Sequence, residues 1–193
     1  MALDDRERWD RQHAAKRATQ EPATFLKEIF QSDHWSIPRG QALDIATGKG
    51  QNAIFLAERG FEVLGIDISP VALEEARRSA EEKSLKVNWQ QADLEMIELP
   101  PLRYNVVLNF NYLQRSLVSQ IKKTLKPGGW VIFETYLTDQ TKIGHPINPD
   151  YLLLHNELLG SFRDFRVLYY REGKFLQSGE GEFRAGLLAQ KGS

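Results

Sequence analysis

The sequence lacks cysteine altogether, and it lacks an excess of charge of either sign. Without cysteine there is no disulfide bond, no thiolate zinc site, no iron–sulfur cluster and no cysteine nucleophile. The 25 lysines and arginines are balanced by 26 aspartates and glutamates, so the net charge is −1. Binding along a nucleic-acid backbone needs a basic excess or a strongly basic face. We therefore expect no nucleic-acid partner.

Long hydrophobic runs are also missing. One of the longest, at residues 130–133, reads WVIF, whereas a membrane-spanning helix needs about 20 apolar residues. Residues 1–6 show no apolar stretch behind a basic start, so they do not resemble a signal peptide. We expect a cytoplasmic protein with no membrane partner. No spacing of histidines and carboxylates predicts a metal site.

In composition the chain resembles an ordinary globular protein, with 41% hydrophobic and 26% charged residues. Its 193 residues correspond to about one domain. Strand-like apolar runs alternate with helical patterns, which is typical of a parallel sheet covered by helices on both faces. We predict strands at residues 42–46, 61–66, 85–91, 104–110 and 130–135, and helices at 22–30, 48–59, 69–83 and 114–125.

The last third of the chain has a different pattern. Asn148 is predicted to cap a helix that runs to about Leu159 and ends at Gly160. Two strand-like runs follow at residues 164–171 and 181–190, and the turn-forming residues 172–174 between them indicate a hairpin. The predicted fold class is therefore α/β: a doubly wound, Rossmann-like, mostly parallel seven-stranded sheet with a C-terminal antiparallel hairpin.

The most informative segment lies between the first predicted strand and the helix that follows it. Gly48, Gly50 and Ala53 have the G-x-G-x-x-G/A spacing of dinucleotide-binding loops, which is weak evidence alone. Asp67 ends the next strand, where a carboxylate can accept hydrogen bonds from a ribose diol and would repel a 2′-phosphate. Its alternative role is to cap a helix beside Ser69. The segment predicts a site for an adenine nucleoside.

Four segments in order resemble class I S-adenosylmethionine-dependent methyltransferases. They are residues 44–50 (DIATGKG), Asp67, residues 91–94 (QADL) and residues 125–129 (LKPGG). The predicted terminal hairpin also resembles that family, and the resemblance covers about residues 40–190. Weaker cues, such as Trp9-Asp10 near the N-terminus, resemble the small prokaryotic tellurite-resistance methyltransferases.

The resemblance implies S-adenosylmethionine as the cofactor and S-adenosylhomocysteine as its product. Asp44 and the glycine loop would hold the methionine portion, and Asp67 would bind the ribose hydroxyls. Asp93 would meet the adenine amino group. Ala46 stands where the family has its first glycine, although alanine is disfavoured at positive φ. The implied cofactor-binding residues are Asp44, Ala46, Thr47, Gly48, Gly50, Asn52, Asp67, Ile68, Asp93 and Leu94, with Asn109 and Phe110 near the sulfonium.

Candidate catalytic and acceptor-binding residues follow the fourth and fifth predicted strands. Arg115 could hold an oxyanion or form a surface salt bridge, and Tyr112 could meet the acceptor or only pack. His145 could be a base or a solvated loop histidine. The candidate catalytic residues are Tyr112, Arg115 and His145, and the candidate substrate-contacting residues are Trp9, His13, Tyr112, Arg115 and Tyr136.

These observations predict one methyltransferase domain over residues 1–193. Residues 1–40 would be an N-terminal helical lid, residues 41–135 the cofactor-binding half, and residues 136–193 the acceptor-side helix and terminal hairpin. The predicted reaction is methyl transfer to a small molecule, such as a metalloid oxyanion or a thiol, by a monomer or homodimer. Two alternatives remain open at this point: an NAD-linked oxidoreductase, and a non-catalytic nucleoside-binding protein with the same fold.

Overall fold

The computed structural model describes residues 6, 7, 10, 11, 21–176 and 181–193. Within them, seven strands form one sheet in the order β3-β2-β1-β4-β5-β7-β6. The strands are β1 Gln41–Ile45, β2 Glu62–Asp67, β3 Asn88–Gln91, β4 Tyr104–Phe110, β5 Leu125–Tyr136, β6 Arg166–Phe175 and β7 Glu182–Gln190. The helices are α1 Thr24–Gln31, α2 Gln51–Ala57, α3 Pro70–Glu82, α4 Leu117–Thr124 and α5 Glu157–Ser161, with 3₁₀ turns at Thr138–Lys142 and Pro149–Tyr151.

The strand directions confirm the predicted fold class. Strands β1 to β5 pair in parallel, whereas β7 runs antiparallel between β5 and β6. The common dinucleotide-binding sheet has the order 3-2-1-4-5-6. The insertion of an antiparallel β7 beside β5 therefore distinguishes this sheet from that of an NAD-linked dehydrogenase.

The two faces of the sheet are covered by different helices. Buried residues of α4 and α5 pack on one face, while those of α1 and α2 pack on the other. In α1 the buried residues are Phe25, Leu26 and Ile29, which recur on one side of the helix. Gly186 of β7 lies under Phe25, because a Cβ at this position would come within 3.0 Å of the ring. The missing side chain lets α1 approach the sheet closely.

The segment after β5 differs from the prediction. In place of one helix from Asn148 to Leu159, the chain forms the 3₁₀ turn Pro149–Tyr151 and then the short α5. Leu153 between them forms a parallel bridge with Leu137, and Asn156 adopts a left-handed conformation with φ of 62°. An extended residue and a left-handed residue both interrupt a helix, and neither is announced by the hydrophobic spacing.

The predicted turn at residues 172–174 is also wrong, because these residues belong to β6. Glu172 lies opposite Ala185, and Lys174 lies opposite Phe183. The Glu172 carboxylate accepts a hydrogen bond from the backbone N–H of Asn156 at 2.8 Å. This contact with the segment before α5 helps to hold Glu172 in the strand, where the sequence predicted a turn. None of the described helices is long and apolar enough to cross a membrane.

Candidate cofactor and acceptor site

The glycine loop connects β1 to α2 through three residues with positive φ. Ala46 has φ of 51°, Gly48 of 55° and Gly50 of 80°. At Gly50 a side chain has no room, because an added Cβ would lie 2.4 Å from the Trp89 ring. The loop follows the predicted pattern, and Ala46 adopts the conformation that alanine disfavours, at a cost of about 1–2 kcal/mol. Alanine at this position therefore stores backbone strain in the loop.

Asp67 connects this loop to the helix that follows β2. Its Oδ2 accepts a hydrogen bond from the backbone N–H of Gly48 at 2.7 Å. Its Oδ1 accepts one from the backbone N–H of Ser69 at 2.9 Å, and Ser69 itself caps α3 by accepting from Ala72 N–H. The carboxylate is therefore oriented by two elements at once, and the capping role belongs to Ser69.

Asp44 is fully buried near the end of β1. Its Oδ2 accepts a hydrogen bond from the Thr47 hydroxyl at 2.5 Å, whereas no hydrogen bond of normal geometry reaches its Oδ1 from a described residue. Burial, with a smaller contribution from the Asp67 carboxylate, raises the pKa of Asp44 to about 7, although the contacts with the Thr47 hydroxyl and the Ala53 backbone act in the opposite direction. A buried acceptor without a partner is costly. The donor that Asp44 lacks is a cation or an N–H group, such as the ammonium of an amino-acid ligand.

The turn after β3 contains the predicted adenine contacts. The Asp93 side chain accepts a hydrogen bond from Glu95 N–H at 2.9 Å, and Leu94 is buried. The Leu94 carbonyl accepts a hydrogen bond from Gln114 Nε2 at 3.3 Å, which ties this turn to the segment after β4. Ile68, next to Asp67, accepts a hydrogen bond on its carbonyl from Gln91 Nε2.

The segment after β4 is held by side-chain amides. Asn109 is buried, and its Nδ2 donates to the Tyr112 carbonyl at 2.7 Å. The Tyr112 hydroxyl donates to Gln114 Oε1 at 2.7 Å. Asn111 between them is left-handed, with φ of 57°, while Phe110 is buried. These contacts fix a tight bend beside the carboxyl end of β1.

Arg115 is engaged in structural contacts. Its guanidinium donates to both carboxylate oxygens of Glu157, at 2.6 and 3.0 Å, and to the carbonyls of Asp150 and Leu152. The hydrogen bond that Arg115 donates to Glu157 also raises the pKa of Arg115. Arg115 lines a cavity of about 360 Å³ between α4 and α5, which no residue of the glycine loop lines. The structure therefore favours the salt-bridge role over oxyanion binding.

The remaining acceptor candidates are dispersed. Tyr136 ends β5 with its hydroxyl 3.5 Å from Glu182 Oε1, and burial raises its pKa. His145 is exposed, and its carbonyl accepts a hydrogen bond from Gln140 Nε2. Asn52, predicted to bind the cofactor, accepts a hydrogen bond from Ala23 N–H, so it attaches the chain before α1 to α2. Trp9 and His13 lie outside the described residues.

Sequence reasoning missed a buried ionic cluster at the end of β5. Glu134 is fully buried, and Arg184 is 4% exposed. Arg171 Nη2 lies 2.7 Å from Glu134 Oε1, and Arg184 Nη1 lies 3.7 Å from Glu134 Oε2. The only signal in the sequence is a charged residue at an inward position of an otherwise apolar strand, as at Arg184 in β7.

Comparison with known proteins identifies the fold to which this sheet belongs. Residues 42–129 match the family model of a methyltransferase domain. The structure of TehB from Haemophilus influenzae superimposes with a TM-score of 0.74 at 18% identity, over 90% of this chain and 63% of that one. The chain has the class I methyltransferase fold. The predicted resemblance is thereby confirmed at the level of the fold, and residues 42–129 resemble a methyltransferase domain in sequence.

Curated relatives match part of this chain. Demethylmenaquinone methyltransferase of Thermus thermophilus is 36% identical over 98 residues, which are 47% of this chain and 44% of that protein. The tRNA 5-carboxymethoxyuridine methyltransferase of Escherichia coli K12 is 30% identical over 130 residues, or 63% of this chain and 46% of that protein. The chain thus spans less than half the length of these relatives in the matched regions.

Proposed function

We propose that this chain transfers a methyl group from S-adenosylmethionine to a small-molecule acceptor. The observation that carries the proposal is the pair Asp44 and Asp67 at the ends of neighbouring parallel strands, joined by the glycine loop. Asp67 is oriented by Gly48 N–H, and Asp44 has a buried oxygen that no hydrogen bond of normal geometry from a described residue reaches. A cofactor with a ribose diol and an ammonium group fits both carboxylates. The antiparallel β7 supports this cofactor over NAD.

Each side chain has a defined part in holding the cofactor. Asp67 would accept hydrogen bonds from the two ribose hydroxyls, and Asp44 Oδ1 would accept one from the ammonium group. Asp93 and Leu94 would meet the adenine ring. When it is bound, S-adenosylmethionine supplies a methyl group on a positively charged sulfur, which is the electrophile. The ionised form of Asp44 is the one that attracts the ammonium group, so burial of this carboxyl tunes cofactor binding to pH.

The protein's contribution to the reaction is to position the acceptor and exclude water. Such positioning supplies up to about 7–11 kcal/mol of the barrier reduction in favourable cases. Asn109, Phe110 and Tyr112 would form the floor, with Tyr136 beside them at the end of β5. Residues 136–193 would form the acceptor side and residues 1–40 its cover, and Asp10 in this cover accepts a hydrogen bond from the Ser69 hydroxyl at 2.5 Å.

A small acceptor is supported by the chain's own charge. The net charge of −1 provides no excess of positive charge for a polyanion such as tRNA. The relatives named above are methyltransferases of demethylmenaquinone in one case and of tRNA in the other, so they do not decide this point. Transfer to a small molecule is the proposal that needs no further recognition surface.

Calorimetric titration with S-adenosylhomocysteine, with NAD titrated in parallel, tests the proposal. We expect saturable 1:1 binding of S-adenosylhomocysteine alone. Asp67→Asn should weaken this binding at least about tenfold, because the amide cannot accept from both ribose hydroxyls and both backbone donors. Asp33→Asn, in an exposed turn, is the matched control. Binding of NAD alone, or equal affinity in Asp67→Asn and wild type, would refute the cofactor assignment, and binding without turnover would favour the non-catalytic alternative.

A further inference from the structure

The ionic cluster at the end of β5 contains two buried guanidinium groups and one buried carboxylate. The side chain of Arg171 is 11% exposed and that of Arg184 is 5% exposed, while Glu134 is fully buried. The other carboxylates in contact are Glu28, whose side chain is 42% exposed, and Glu182, at 26%. Solvent weakens the compensation that these exposed groups provide. The buried part of the cluster therefore has an excess of positive charge.

Arg171 lies closer than Arg184 to Glu134, the one fully buried carboxylate among the described residues of this cluster. Its Nη2 lies 2.7 Å from Glu134 Oε1, and its Nη1 lies 2.6 Å from Glu28. The guanidinium is also enclosed by the rings of Phe25 and Phe175, at 4.5 and 4.4 Å from their centroids. These contacts hold Arg171 in place and turn Glu134 towards it. Arg184 is left with a looser contact of 3.7 Å to the same carboxylate.

Arg184 has donors that the described residues do not use. Its Nε donates to Glu182 at 2.8 Å, and its Nη1 donates to Asn111 Oδ1 at 2.6 Å. Arginine has five N–H donors in a fixed plane. No described residue accepts a hydrogen bond from Nη2 of Arg184. This arginine thus combines burial, positive charge and unused donors.

The position of Arg184 places these donors at the acceptor end of the sheet. Arg184 lies opposite Tyr136 at the end of β5, and its guanidinium lies 4.0 Å from the centroid of that ring. Its partner Asn111 directly follows Phe110, which we assign to the floor of the acceptor site. Since Asn111 Oδ1 accepts from Arg184, its Nδ2 is directed away from the guanidinium.

We propose that the acceptor carries a carboxylate group, which Arg184 binds at the end of β5. The proposal rests on the proposed methyl transfer and names its substrate class. A carboxylate accepts two parallel hydrogen bonds from a guanidinium, and such charge-assisted pairs are stronger than neutral ones. Tyr136 and Phe110 would contact the rest of the molecule. Arg184 would therefore orient the acceptor, and no bond to the arginine is made or broken.

Titration of carboxylates into the protein saturated with S-adenosylhomocysteine tests this proposal. Acetate, phenylacetate and 3-phenylpropionate are the probes, and phenylacetamide is the uncharged control of matched shape. We expect at least one carboxylate to bind, and phenylacetamide to bind at least about tenfold more weakly than phenylacetate if the latter binds. Binding of none of the three carboxylates, or equal binding of phenylacetate and its amide, would overturn the proposal. So would tighter binding of selenite than of every carboxylate.

Two variants separate a binding role from a role in folding. Arg184→Met should weaken carboxylate binding at least about tenfold while the affinity for S-adenosylhomocysteine stays within about twofold. Glu182→Gln removes the carboxylate that competes for Arg184, so it should tighten binding of the probe about threefold or more. Unfolding cannot produce such a gain. No gain in Glu182→Gln, together with unchanged binding in Arg184→Met, would refute the assignment.

Arg166→Met is the matched control, because Arg166 is an exposed arginine on the same hairpin, in β6. Its carboxylate affinity should equal that of the wild type. If the wild type does not bind S-adenosylhomocysteine, the proposed function fails, and titration of phenylacetate into the cofactor-free protein still tests Arg184. The two failures are therefore distinguishable.

Discussion

Replacement of Asp44 by asparagine should make the free energy of unfolding less dependent on pH, and it should also abolish binding of the proposed cofactor. Asp44 is fully buried, and burial raises its pKa from 3.8 to about 7. The folded state therefore binds this proton more tightly than the unfolded state does. The contribution of Asp44 to stability is fully present below about pH 4, falls as the pH rises towards 7, and is lost above 7. Asp44→Asn removes this dependence because an amide does not titrate in the range.

The magnitude follows from the shift of about three pKa units. At 1.36 kcal/mol per unit, the whole change amounts to about 4 kcal/mol in the free energy of unfolding. Between about pH 5 and pH 8 the expected change is about 2–3 kcal/mol, since part of it occurs below pH 5. The asparagine NH₂ group placed at Oδ1 adds a penalty of about 1–3 kcal/mol. That penalty does not depend on pH, so it cancels from the difference between two pH values.

Urea denaturation followed by tryptophan fluorescence at several pH values between 5 and 8 measures this difference. Relative to the wild type, the free energy of unfolding of Asp44→Asn should rise by about 2–3 kcal/mol as the pH is raised from 5 to 8. Asp33 is an exposed aspartate, so the free energy of unfolding of Asp33→Asn should depend on pH in the same way as that of the wild type. If the wild type and Asp44→Asn show the same pH dependence, Asp44 does not titrate as a buried group, and the reasoning is refuted.

Three further substitutions test other parts of the site. Gly50→Ala should lower the free energy of unfolding by about 2–4 kcal/mol in urea denaturation, because alanine would have to adopt φ of 80° and its Cβ would lie 2.4 Å from the Trp89 ring. Arg115→Met should lower the melting temperature and leave the calorimetric affinity for S-adenosylhomocysteine unchanged, because its contacts join the segment before α4 to Leu152 and to Glu157 at the start of α5. Ala46→Gly should raise stability by up to about 1 kcal/mol in the same urea assay, since glycine removes the strain at φ of 51° but adds entropy to the unfolded chain.

Matched controls exist for the first two of these. Gly160 lies in α5 with open space where its Cβ would be, so Gly160→Ala should be neutral or stabilising by about 0.4–1 kcal/mol. Equal losses in Gly50→Ala and Gly160→Ala would contradict the steric argument. Arg166→Met is the control for Arg115→Met, and reduced cofactor affinity in the latter would show that Arg115 acts beyond the salt bridge. A loss of stability in Ala46→Gly would mean that residue 46 is not strained.

The cofactor half of the fold could be predicted from the sequence because its signals are local. The strand predicted at residues 104–110, around the apolar run VVL at 106–108, has the same two ends in the structure. Ser69 and Pro70 mark the start of α3, and Ser69 caps that helix as its position suggests. Each of these features depends on a few neighbouring residues. Hydrophobic pattern and helix capping are therefore sufficient to describe them.

The segments after β4 and β5 could not be predicted in the same way because their contacts are distant along the chain. Arg115 bonds to Glu157, which is 42 residues away, and Asn111 bonds to Arg184, which is 73 residues away. The break in the predicted helix at residues 148–159 follows from such contacts, since Arg115 also binds the carbonyl of Leu152. Nothing in the spacing of apolar residues reports a hydrogen bond of this kind. The assignment of Tyr112, His145 and Tyr136 to the reaction stays a prediction.

The antiparallel hairpin explains why carboxylates and guanidinium groups come to the same end of the sheet from different strands. Parallel strands β1, β2 and β4 direct their carboxyl ends to one edge of the sheet, which places Asp44, Asp67 and Asn109 there. Strand β7 runs in the opposite direction, so its first residues lie at this edge, where Arg184 is opposite Tyr136. The proposed cofactor site thus receives carboxylates from strand ends, which would suit a cofactor with a positively charged sulfur. The hairpin brings guanidinium groups to the same edge, and the two charges together favour a cationic cofactor beside an anionic acceptor.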